Sequence, residues 1–268
     1  MKYSWLILLV GICACGGEKT PDHDAEIETP HVGIEAPSNI SYTIISQYPH
    51  DTSAYTQGLE LFDGKLFEST GDYENSSLRI TDKKSGAVKQ KYMMGSTDIF
   101  GEGMTIFKNS IYQLTWENNK VYQYDVSNIS KPIKTFDWPY EGWGITHDSI
   151  NLIISDGSAN IYFVDPNSFK VKSTISVKDN QGSIPYLNEL EYVNGFIYAN
   201  VYQSNVIVKI DAESGIVAGK IYLNNLLQQA DYVPNRTDVL NGIAYDSATT
   251  HFLITGKRWP KMFEIKLN

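Results

Sequence analysis

Residues 102–109 read Glu102-Gly-Met-Thr-Ile-Phe-Lys-Asn109, and four other stretches of the chain align with them. Each stretch begins with a polar or aromatic residue, continues with glycine or, once, glutamate, and then runs on as an alternating, strand-like segment. The other four are Gln57-Gly-Leu-Glu-Leu-Phe-Asp-Gly64, Trp143-Gly-Ile-Thr-His-Asp-Ser-Ile150, Asn188-Glu-Leu-Glu-Tyr-Val-Asn-Gly195 and Asn241-Gly-Ile-Ala-Tyr-Asp-Ser-Ala248. Their starts lie 45, 41, 45 and 53 residues apart, which is the length of one four-stranded propeller blade.

One strand that belongs to none of these repeats indicates how the array closes. Residues 40–46 form an apolar, strand-like segment ahead of the first repeat. We therefore predict an all-β, five-bladed β-propeller over residues 39–268, with the N-terminal strand supplying the outer strand of the last blade and covering an exposed edge. A β-sandwich is the alternative, but sandwiches do not repeat at one period.

Composition supports a folded β domain and argues against nucleic acid as a partner. Of 268 residues, 42% are hydrophobic and 20% are charged, and the 18 Tyr, 10 Phe and 20 Gly suit short strands joined by tight turns. With 22 Lys and Arg against 31 Asp and Glu, the net charge is −9, and no basic run suited to a phosphate backbone occurs.

The N-terminus has the pattern of an export signal. Lys2 precedes a short apolar stretch, and the following Ile12-Cys13-Ala14-Cys15 resembles a bacterial lipobox. That resemblance implies a signal peptide over residues 1–14, lipidation of Cys15 and a flexible, proline-containing tether over residues 15–38. We expect an exported cell-envelope lipoprotein, periplasmic or anchored to the outer membrane, held to the membrane by lipid alone and monomeric. A buried N-terminal strand is the alternative.

The repeats also predict a site on the propeller axis. Inner strands of all blades begin at the same end of the central channel, so the first residues of the repeats should converge there. These residues are Gln57, Glu102, Trp143, Asn188 and Asn241. The second strands return to the same rim at Gly71, Trp116, Gly157, Tyr202 and Lys257. One carboxylate, one ammonium group, three amides and three large aromatic rings would then surround a pocket for a small ligand.

Eight short pieces in order along the domain resemble the plant-type glutaminyl-peptide cyclotransferases. They are Tyr55-Thr-Gln57-Gly-Leu, Phe100-Gly-Glu102-Gly, Leu114-Thr-Trp116, Glu141-Gly-Trp143-Gly, Leu187-Asn188-Glu-Leu-Glu, Ala199-Asn-Val, Leu240-Asn241-Gly-Ile and Thr255-Gly-Lys257-Arg-Trp-Pro. This resemblance implies a five-bladed propeller that converts an N-terminal glutamine of a peptide into pyroglutamate and releases ammonia. The expected partners are therefore peptides or proteins that begin with glutamine.

The resemblance also implies a role for each matching residue. Glu102 would be the acid/base, and Lys257 would assist it. The substrate contacts would be Tyr55, Gln57, Phe100, Trp116, Trp143, Asn188, Tyr202 and Asn241. Tyr55 and Tyr202 stand where the family more often has Phe and Trp, so we expect a changed affinity before a changed chemistry.

A single carboxylate suffices for this reaction in principle. The carboxylate takes a proton from the attacking α-amine and delivers it to the departing nitrogen, while cationic and amide donors stabilise the oxyanion. No metal or organic cofactor is required. The five histidines have no zinc-ligand spacing, no Gly-x-Ser-x-Gly elbow or phosphate loop occurs, and a structural calcium ion is left open without a recognisable ligand loop.

Less specific interpretations of the same residues remain open from the sequence alone. Glu102 would also suit a tight turn, Lys257 a solvated strand end, and the two tryptophans packing between blades. At the level of function, the alternative is a non-catalytic propeller lipoprotein that binds a peptide or an envelope protein at the channel mouth.

Overall fold

The structure, a computed structural model, describes residues 33–268, and two of its strands precede the first repeat. These are β1 (Ser38–Asn39) and β2 (Tyr42–Pro49). The predicted signal peptide, the lipidated Cys15 and most of the predicted tether lie outside the described residues. Within them, no helix is long and apolar enough to cross a membrane.

Four blades each contain four strands that are consecutive in sequence. Blade one consists of β3 (Thr56–Phe62), β4 (Lys65–Thr70), β5 (Ser77–Thr81) and β6 (Val88–Met93). Blade two consists of β7 (Gly101–Phe107), β8 (Ser110–Thr115), β9 (Lys120–Asp125) and β10 (Lys134–Asp137). Blade three consists of β11 (Ile145–His147), β12 (Leu152–Ser155), β13 (Asn160–Val164) and β14 (Val171–Ser176). A small hairpin, β15 (Lys178–Asp179) and β16 (Gly182–Ser183), precedes blade four, which consists of β17 (Leu187–Val193), β18 (Phe196–Val201), β19 (Val206–Asp211) and β20 (Val217–Tyr222).

Blade five is completed by the N-terminal strand, as predicted. After the short helix α1 (Leu226–Gln229), it contains β21 (Leu240–Asp246), β22 (His251–Gly256) and β23 (Lys261–Leu267), with β2 as its outer strand. β2 runs antiparallel to β23, from the pair Tyr42 and Leu267 to the pair Pro49 and Lys261. The strand therefore begins two residues later and ends three residues later than the predicted segment 40–46. Inner strands of neighbouring blades touch, and β21 contacts β3, which closes the ring.

β1 is an addition that the repeat pattern does not predict. It pairs in parallel with β20, with Ser38 opposite Gly219, so the end of the predicted tether forms a fifth strand on blade four. The Ser38 hydroxyl donates to the carbonyl of Ala218 at 3.1 Å. Gly219 leaves room for Ile40, whose side chain would lie 2.5 Å from a Cβ at that position.

The apolar core is divided into five clusters, one between each pair of neighbouring blades. Successive side chains of a strand point to opposite faces of its sheet. Leu152 and Ile154 of β12 accordingly pack towards blade two, whereas Ile153 packs towards blade four. Because apolar side chains alternate between the two faces of each strand, every blade packs against both of its neighbours.

Glycines in the repeats allow the inner strands to approach one another. A Cβ on Gly103 would lie 2.7 Å from the carbonyl oxygen of Trp143, and one on Gly144 would lie 2.0 Å from that of Asn188. In blade four the corresponding residue is Glu189, which is 1% exposed. Its carboxylate accepts backbone N–H groups from Leu59 and Ile243 at 3.2 and 2.8 Å, so it links blades one, four and five.

Candidate active site

The first residues of four repeats lie at irregularities in the strand pairing. The register of the inner strand shifts between Thr56 and Gly58, Gly101 and Met104, Leu187 and Leu190, and Leu240 and Ile243. These shifts contain Gln57, Glu102, Asn188 and Asn241. Such β-bulges re-aim side chains and are frequent beside active sites. Glu102 is thus a strand residue in β7, not part of a tight turn.

Nine residues from the predicted set line one cavity of about 240 Å³ at the centre of the ring, which we call the axial cavity. They are Tyr55, Gln57, Phe100, Glu102, Trp116, Trp143, Asn188, Tyr202 and Lys257. All five blades or the segments that lead into them contribute. Glu102 is the only carboxylate in this lining and Lys257 the only ammonium group.

Five aromatic rings form most of the wall and are called the aromatic cage here: Tyr55, Phe100, Trp116, Trp143 and Tyr202. Neighbouring rings meet edge to face. The centroids of Tyr55 and Phe100 are 6.1 Å apart, those of Phe100 and Trp116 are 5.7 Å apart, and those of Trp143 and Tyr202 are 5.5 Å apart. Edge-to-face contacts of this kind stabilise the rings against one another and fix the shape of an apolar wall.

Two glycines make space for two of these rings. A Cβ on Gly71 would lie 2.1 Å from the ring of Phe100, and one on Gly157 would lie 2.5 Å from the ring of Trp143. Gly71 and Gly157 are the second-strand positions at which the other repeats place Trp116, Tyr202 and Lys257. The absence of a side chain at these two positions, in blades one and three, therefore leaves the space that the rings of the cavity wall occupy.

Lys257 connects the two tyrosines of the aromatic cage. It is 3% exposed, and its Nζ lies 4.8 Å from the ring centroid of Tyr55 and 4.9 Å from that of Tyr202. Burial lowers the pKa of this lysine, against the charges of Glu102 and Asp238, which raise it. Contacts with two aromatic faces stabilise the charged form of a cation that has lost water.

Glu102 is a buried carboxylate held by one amide. It is 5% exposed, and its Oε1 accepts a hydrogen bond from Nε2 of Gln57 at 3.0 Å. Burial raises the pKa of Glu102 well above its usual range, the nearby Lys257 lowers it, and Glu141 raises it further. Glu102 and Lys257 are not among the ion pairs within 4.0 Å that the described residues form, so Lys257 acts on Glu102 through its field. A carboxylate with a raised pKa suits proton transfer near neutral pH.

Asn188 brings an unused acceptor to the cavity wall. Its side chain is 2% exposed, and its Oδ1 has no hydrogen-bond partner within the described part of the chain. A buried amide oxygen without a partner is costly, so a donor from a ligand would be stabilising there. The predicted place of Asn188 in the site agrees with this geometry.

Asn241 is not among the residues that line the axial cavity, and its predicted substrate contact remains a prediction. It is fully buried, and its Nδ2 donates to the carbonyl of Thr56 at 3.0 Å and to Oε1 of Gln57 at 3.1 Å. The backbone differs in this blade, because Gly242 has a φ of +126°. Asn241 therefore holds the side-chain amide of Gln57 in place from outside the axial cavity.

Two further residues act on the aromatic cage, and the repeat alignment does not single them out. Glu141 accepts hydrogen bonds from the indole N–H groups of Trp116 and Trp143. Asp238, in the segment before β21, accepts a hydrogen bond from the Tyr55 hydroxyl at 3.0 Å. In the sequence, Glu141 stands two residues before Trp143 and belongs to the piece Glu141-Gly-Trp143-Gly that carries the family resemblance, but neither feature indicates its role.

A second cavity of about 300 Å³, called the lateral cavity here, adjoins the first. It shares Tyr55 and Phe100 with the axial cavity and is otherwise lined by Asp72, Tyr73 and Arg258. The Arg258 guanidinium pairs with Asp72 at 3.2 Å and lies 5.5 Å from the ring centroid of Tyr55. A ligand longer than the axial cavity can therefore continue over the shared rings.

No metal centre is evident in the described region. Residues 33–268 contain no group of three or more His, Cys, Asp or Glu side chains that could hold a metal ion. Calcium also accepts backbone and amide carbonyl oxygens, so the predicted possibility of structural calcium remains untested.

The fold and the site together define a five-bladed β-propeller with one buried carboxylate in an aromatic cavity on its axis. The chain belongs to the glutamine cyclotransferase family, whose model matches residues 14–267. A glutaminyl-peptide cyclotransferase from Arabidopsis thaliana is 41% identical over 228 residues, which cover 84% of this chain and 70% of that protein. The crystal structure of a glutaminyl cyclase from Myxococcus xanthus matches with a TM-score of 0.80 at 34% identity, over 87% of this chain and 98% of that one. The predicted family and fold are confirmed.

Proposed function

We propose that this protein is a glutaminyl-peptide cyclotransferase that converts an N-terminal glutamine of peptides or proteins into pyroglutamate and releases ammonia. The observation that carries the proposal is Glu102, a single buried carboxylate with a raised pKa in a cavity walled by aromatic rings. The names of the relatives from Arabidopsis and Myxococcus agree with this activity. An enzyme with this activity would be classified as an acyltransferase of the aminoacyl type.

The axial cavity suits a glutamine residue folded back on itself. The aromatic cage would enclose the methylene groups of the side chain and bring the α-amine to the γ-carboxamide. Oδ1 of Asn188, which has no partner among the described residues, would accept a hydrogen bond from the amine or from the carboxamide NH2. Because both reacting groups belong to one residue, holding this conformation supplies a large part of the rate enhancement.

Glu102 would transfer one proton in two stages. The neutral α-amine attacks the carbonyl carbon of the γ-carboxamide, a C–N bond forms, and Glu102 accepts the proton that the amine loses. Glu102 then donates this proton to the former amide nitrogen, the bond from the carboxamide carbon to that nitrogen breaks as the carbonyl re-forms, and ammonia leaves. A free α-amine has a pKa of about 7.7–8.0, so the raised pKa of Glu102 brings donor and acceptor closer together.

Three side chains could stabilise the oxyanion between these stages. Gln57 uses one N–H of its amide on Glu102 and retains a second, Lys257 brings a cation, and Asn188 brings its own NH2 group. Donors fixed in advance around a buried site stabilise developing charge without reorganising. Lys257 would also hold the Glu102 carboxylate in its charged form before the amine proton is transferred.

This scheme uses neither a metal nor an organic cofactor, and metal independence is part of the proposal. Each proton has a protein group to carry it, and the oxyanion has protein donors. Activity that survives exhaustive treatment with a chelator, followed by metal analysis of the sample, would support it. Loss of activity that returns with one specific metal would contradict it.

The part of the bound peptide that follows its N-terminal glutamine would extend through the lateral cavity. The carbonyl end of a bound glutamine must continue towards solvent, and Tyr55 and Phe100 are shared by both cavities. The second residue of the peptide would then lie near Tyr73 and Arg258. We further propose that the enzyme acts outside the cytoplasm, tethered by a lipid on Cys15, because the sequence before the described residues resembles a lipoprotein signal. We also propose that it acts as a monomer, since residues of one chain line the whole axial cavity.

The decisive experiment incubates the purified protein with a Gln-initiated peptide and follows the loss of ammonia by mass spectrometry. Glu102→Gln should abolish turnover and retain the circular dichroism spectrum and cooperative unfolding of the wild type. Glu213→Gln, which changes an exposed carboxylate that lines neither cavity, is the matched control and should keep full activity. Absence of ammonia release by the wild type from neutral to mildly alkaline pH would favour a non-catalytic binding protein instead.

A further inference from the structure

One carboxylate oxygen holds both tryptophans of the aromatic cage. Oε2 of Glu141 accepts a hydrogen bond from Nε1 of Trp116 at 2.8 Å and another from Nε1 of Trp143 at 2.9 Å. Trp116 follows β8 in blade two and Trp143 precedes β11 in blade three, so the two rings reach the cavity from different blades. Their relative placement therefore depends on Glu141.

The segment that carries Glu141 is itself fixed. Trp138 is 1% exposed, and its Nε1 donates to the backbone carbonyl of Glu141 at 3.1 Å. The N–H of Gly142 lies 3.2 Å from the carbonyl oxygens of both Thr115 and Trp116. A Cβ on Gly142 would lie 2.6 Å from the Thr115 oxygen, so only glycine allows this close approach. The peptide group that follows the Glu141 side chain is thus held at its carbonyl by Trp138 and at its N–H by the end of β8.

We propose that Glu141 is a positioning residue for the cyclisation: it holds the indoles of Trp116 and Trp143 at the separation that a folded glutamine side chain requires. The inference rests on the proposed function. Glu141 does not line the axial cavity and so would act through the two rings and through its charge. It would affect both the binding of substrate and the fraction of bound substrate that is folded for attack.

The two indole N–H groups explain why Glu141 can fix the positions of the rings. Each is the only polar atom of a large ring in an apolar wall, and a charged acceptor gives a stronger hydrogen bond than a neutral one. Without Glu141, each indole would turn to find another acceptor or water. Either movement changes the width of the cavity, and small displacements of a positioning group cost much of the rate.

The charge of Glu141 gives a second, separable effect. Among the contributions to the raised pKa of Glu102, burial comes first, Lys257 opposes it, and Glu141 adds to it. Removing the charge while retaining an oxygen acceptor should therefore lower the pKa of Glu102. The rings would remain in place to a first approximation, so the two effects can be measured apart.

Glu141→Ala and Glu141→Gln test the proposal, with Glu117→Ala and Glu117→Gln as matched controls. Glu117 follows Trp116, is exposed, and forms no hydrogen bond or ion pair with the described residues. Ammonia release from a Gln-initiated peptide gives kcat and KM, and tryptophan fluorescence reports the indoles. Glu141 is exposed, so solvent weakens each hydrogen bond, but the variant removes two of them at once. Glu141→Ala should therefore raise KM about fivefold, lower kcat and shift the emission.

Glu141→Gln should show a smaller change in KM but should move the acidic limb of the pH profile of kcat to lower pH. Both Glu117 variants should match the wild type in all three readouts. If Glu141→Ala folds poorly, Glu141→Gln alone still tests the charge effect. In a protein that already carries Trp116→Phe and Trp143→Phe, the effect of Glu141→Ala on KM should largely disappear.

Two results would overturn the proposal. The first is equal behaviour of the Glu141 and Glu117 variants, and the second is an undiminished effect of Glu141→Ala when both indole N–H groups are absent. Either result is distinct from failure of the proposed function, in which the wild type itself releases no ammonia.

Discussion

Asn241 holds Gln57 through an amide–amide hydrogen bond of 3.1 Å, from Nδ2 of Asn241 to Oε1 of Gln57. This contact fixes which end of the Gln57 amide faces which neighbour. With its oxygen engaged by Asn241, Gln57 presents its NH2 group to Glu102 at 3.0 Å. The carboxylate of the site thus receives its hydrogen bond because a residue of blade five orients a residue of blade one.

Replacing Asn241 by alanine should therefore lower kcat about tenfold, with a smaller change in KM, because Gln57 would be free to turn its amide. Steady-state ammonia release measures both constants. In a Gln57→Ala background, Asn241→Ala should have little further effect on kcat. An equally large loss in that background would show that Asn241 acts by another route, and unfolding curves would separate this from lost stability.

The Tyr55 hydroxyl offers a second prediction, since Tyr55→Phe removes only the hydrogen bond to Asp238. The ring, its contact with Phe100 and the contact with Lys257 would stay. We expect KM to rise about two- to threefold and kcat to remain unchanged, as one hydrogen bond at an exposed carboxylate is worth little. Asp238→Asn is the partner variant. A large fall in kcat of Tyr55→Phe would contradict a purely positional role of the hydroxyl.

The lateral cavity should be visible in the dependence on substrate length. Tyr73→Ala should raise KM several-fold for a tripeptide that begins with glutamine, because a truncated aromatic residue loses contact area. It should leave KM unchanged for glutamine amide, which ends before that cavity. Tyr222→Ala, at another exposed tyrosine outside both cavities, should affect neither substrate. Equal effects of Tyr73→Ala on both substrates would place the peptide elsewhere.

Glu60 predicts a pH dependence of stability that is separate from catalysis. Its carboxylate accepts the backbone N–H of Ile106 at 2.8 Å, and burial raises its pKa from 4.5 to about 7. Because the pKa is higher in the folded state, the stability due to protonated Glu60 is present below pH 4.5 and lost as the pH rises through about 7. A shift of this size corresponds to on the order of 3 kcal/mol, which we reduce to about 2 kcal/mol because the side chain is partly exposed.

Urea unfolding of the wild type and of Glu60→Gln across pH 4.5–8 measures this term. The free energy of unfolding of the wild type should fall relative to that of the variant as the pH rises through about 7. Glu213→Gln, an exposed control, should give a curve parallel to that of the wild type. Parallel curves for Glu60→Gln as well would mean that Glu60 keeps an ordinary pKa in the folded protein.

The blades and most of the axial cavity could be predicted from the sequence because both follow from one period. Equivalent positions in a repeat converge in space, so the repeat alignment alone predicts that Gln57, Glu102, Trp143, Asn188 and Lys257 lie together, and all five line the axial cavity. The assigned roles in catalysis and binding remain predictions. The family resemblance added Tyr55 and Phe100, which stand two residues before Gln57 and Glu102, at a position that the repeat alignment did not include.

What could not be predicted depends on local backbone geometry or on contacts between blades. Asn241 is equivalent in sequence to the first residues of the other repeats, but the positive φ of Gly242 gives the backbone a different conformation in blade five. The position in the repeat alone does not show whether a side chain reaches the axial cavity. Glu141 acquires its role only when two indoles from separate blades meet one oxygen. Glu189 breaks the glycine pattern, and the sequence does not reveal that it bonds to the backbones of two other blades.

The five blades have the same backbone plan, yet the side chains that they deliver to the axial cavity form an unequal set of one carboxylate, one ammonium group, two amides and five aromatic rings. The backbone is therefore nearly symmetric around the ring, but the side chains that line the axial cavity are not. A carboxylate from blade two, an amide from blade four and an ammonium group from blade five line one cavity, and the N-terminal strand completes the blade that carries the ammonium group. We therefore expect a fragment that lacks this strand to lose the arrangement of the cavity even where its other blades are intact.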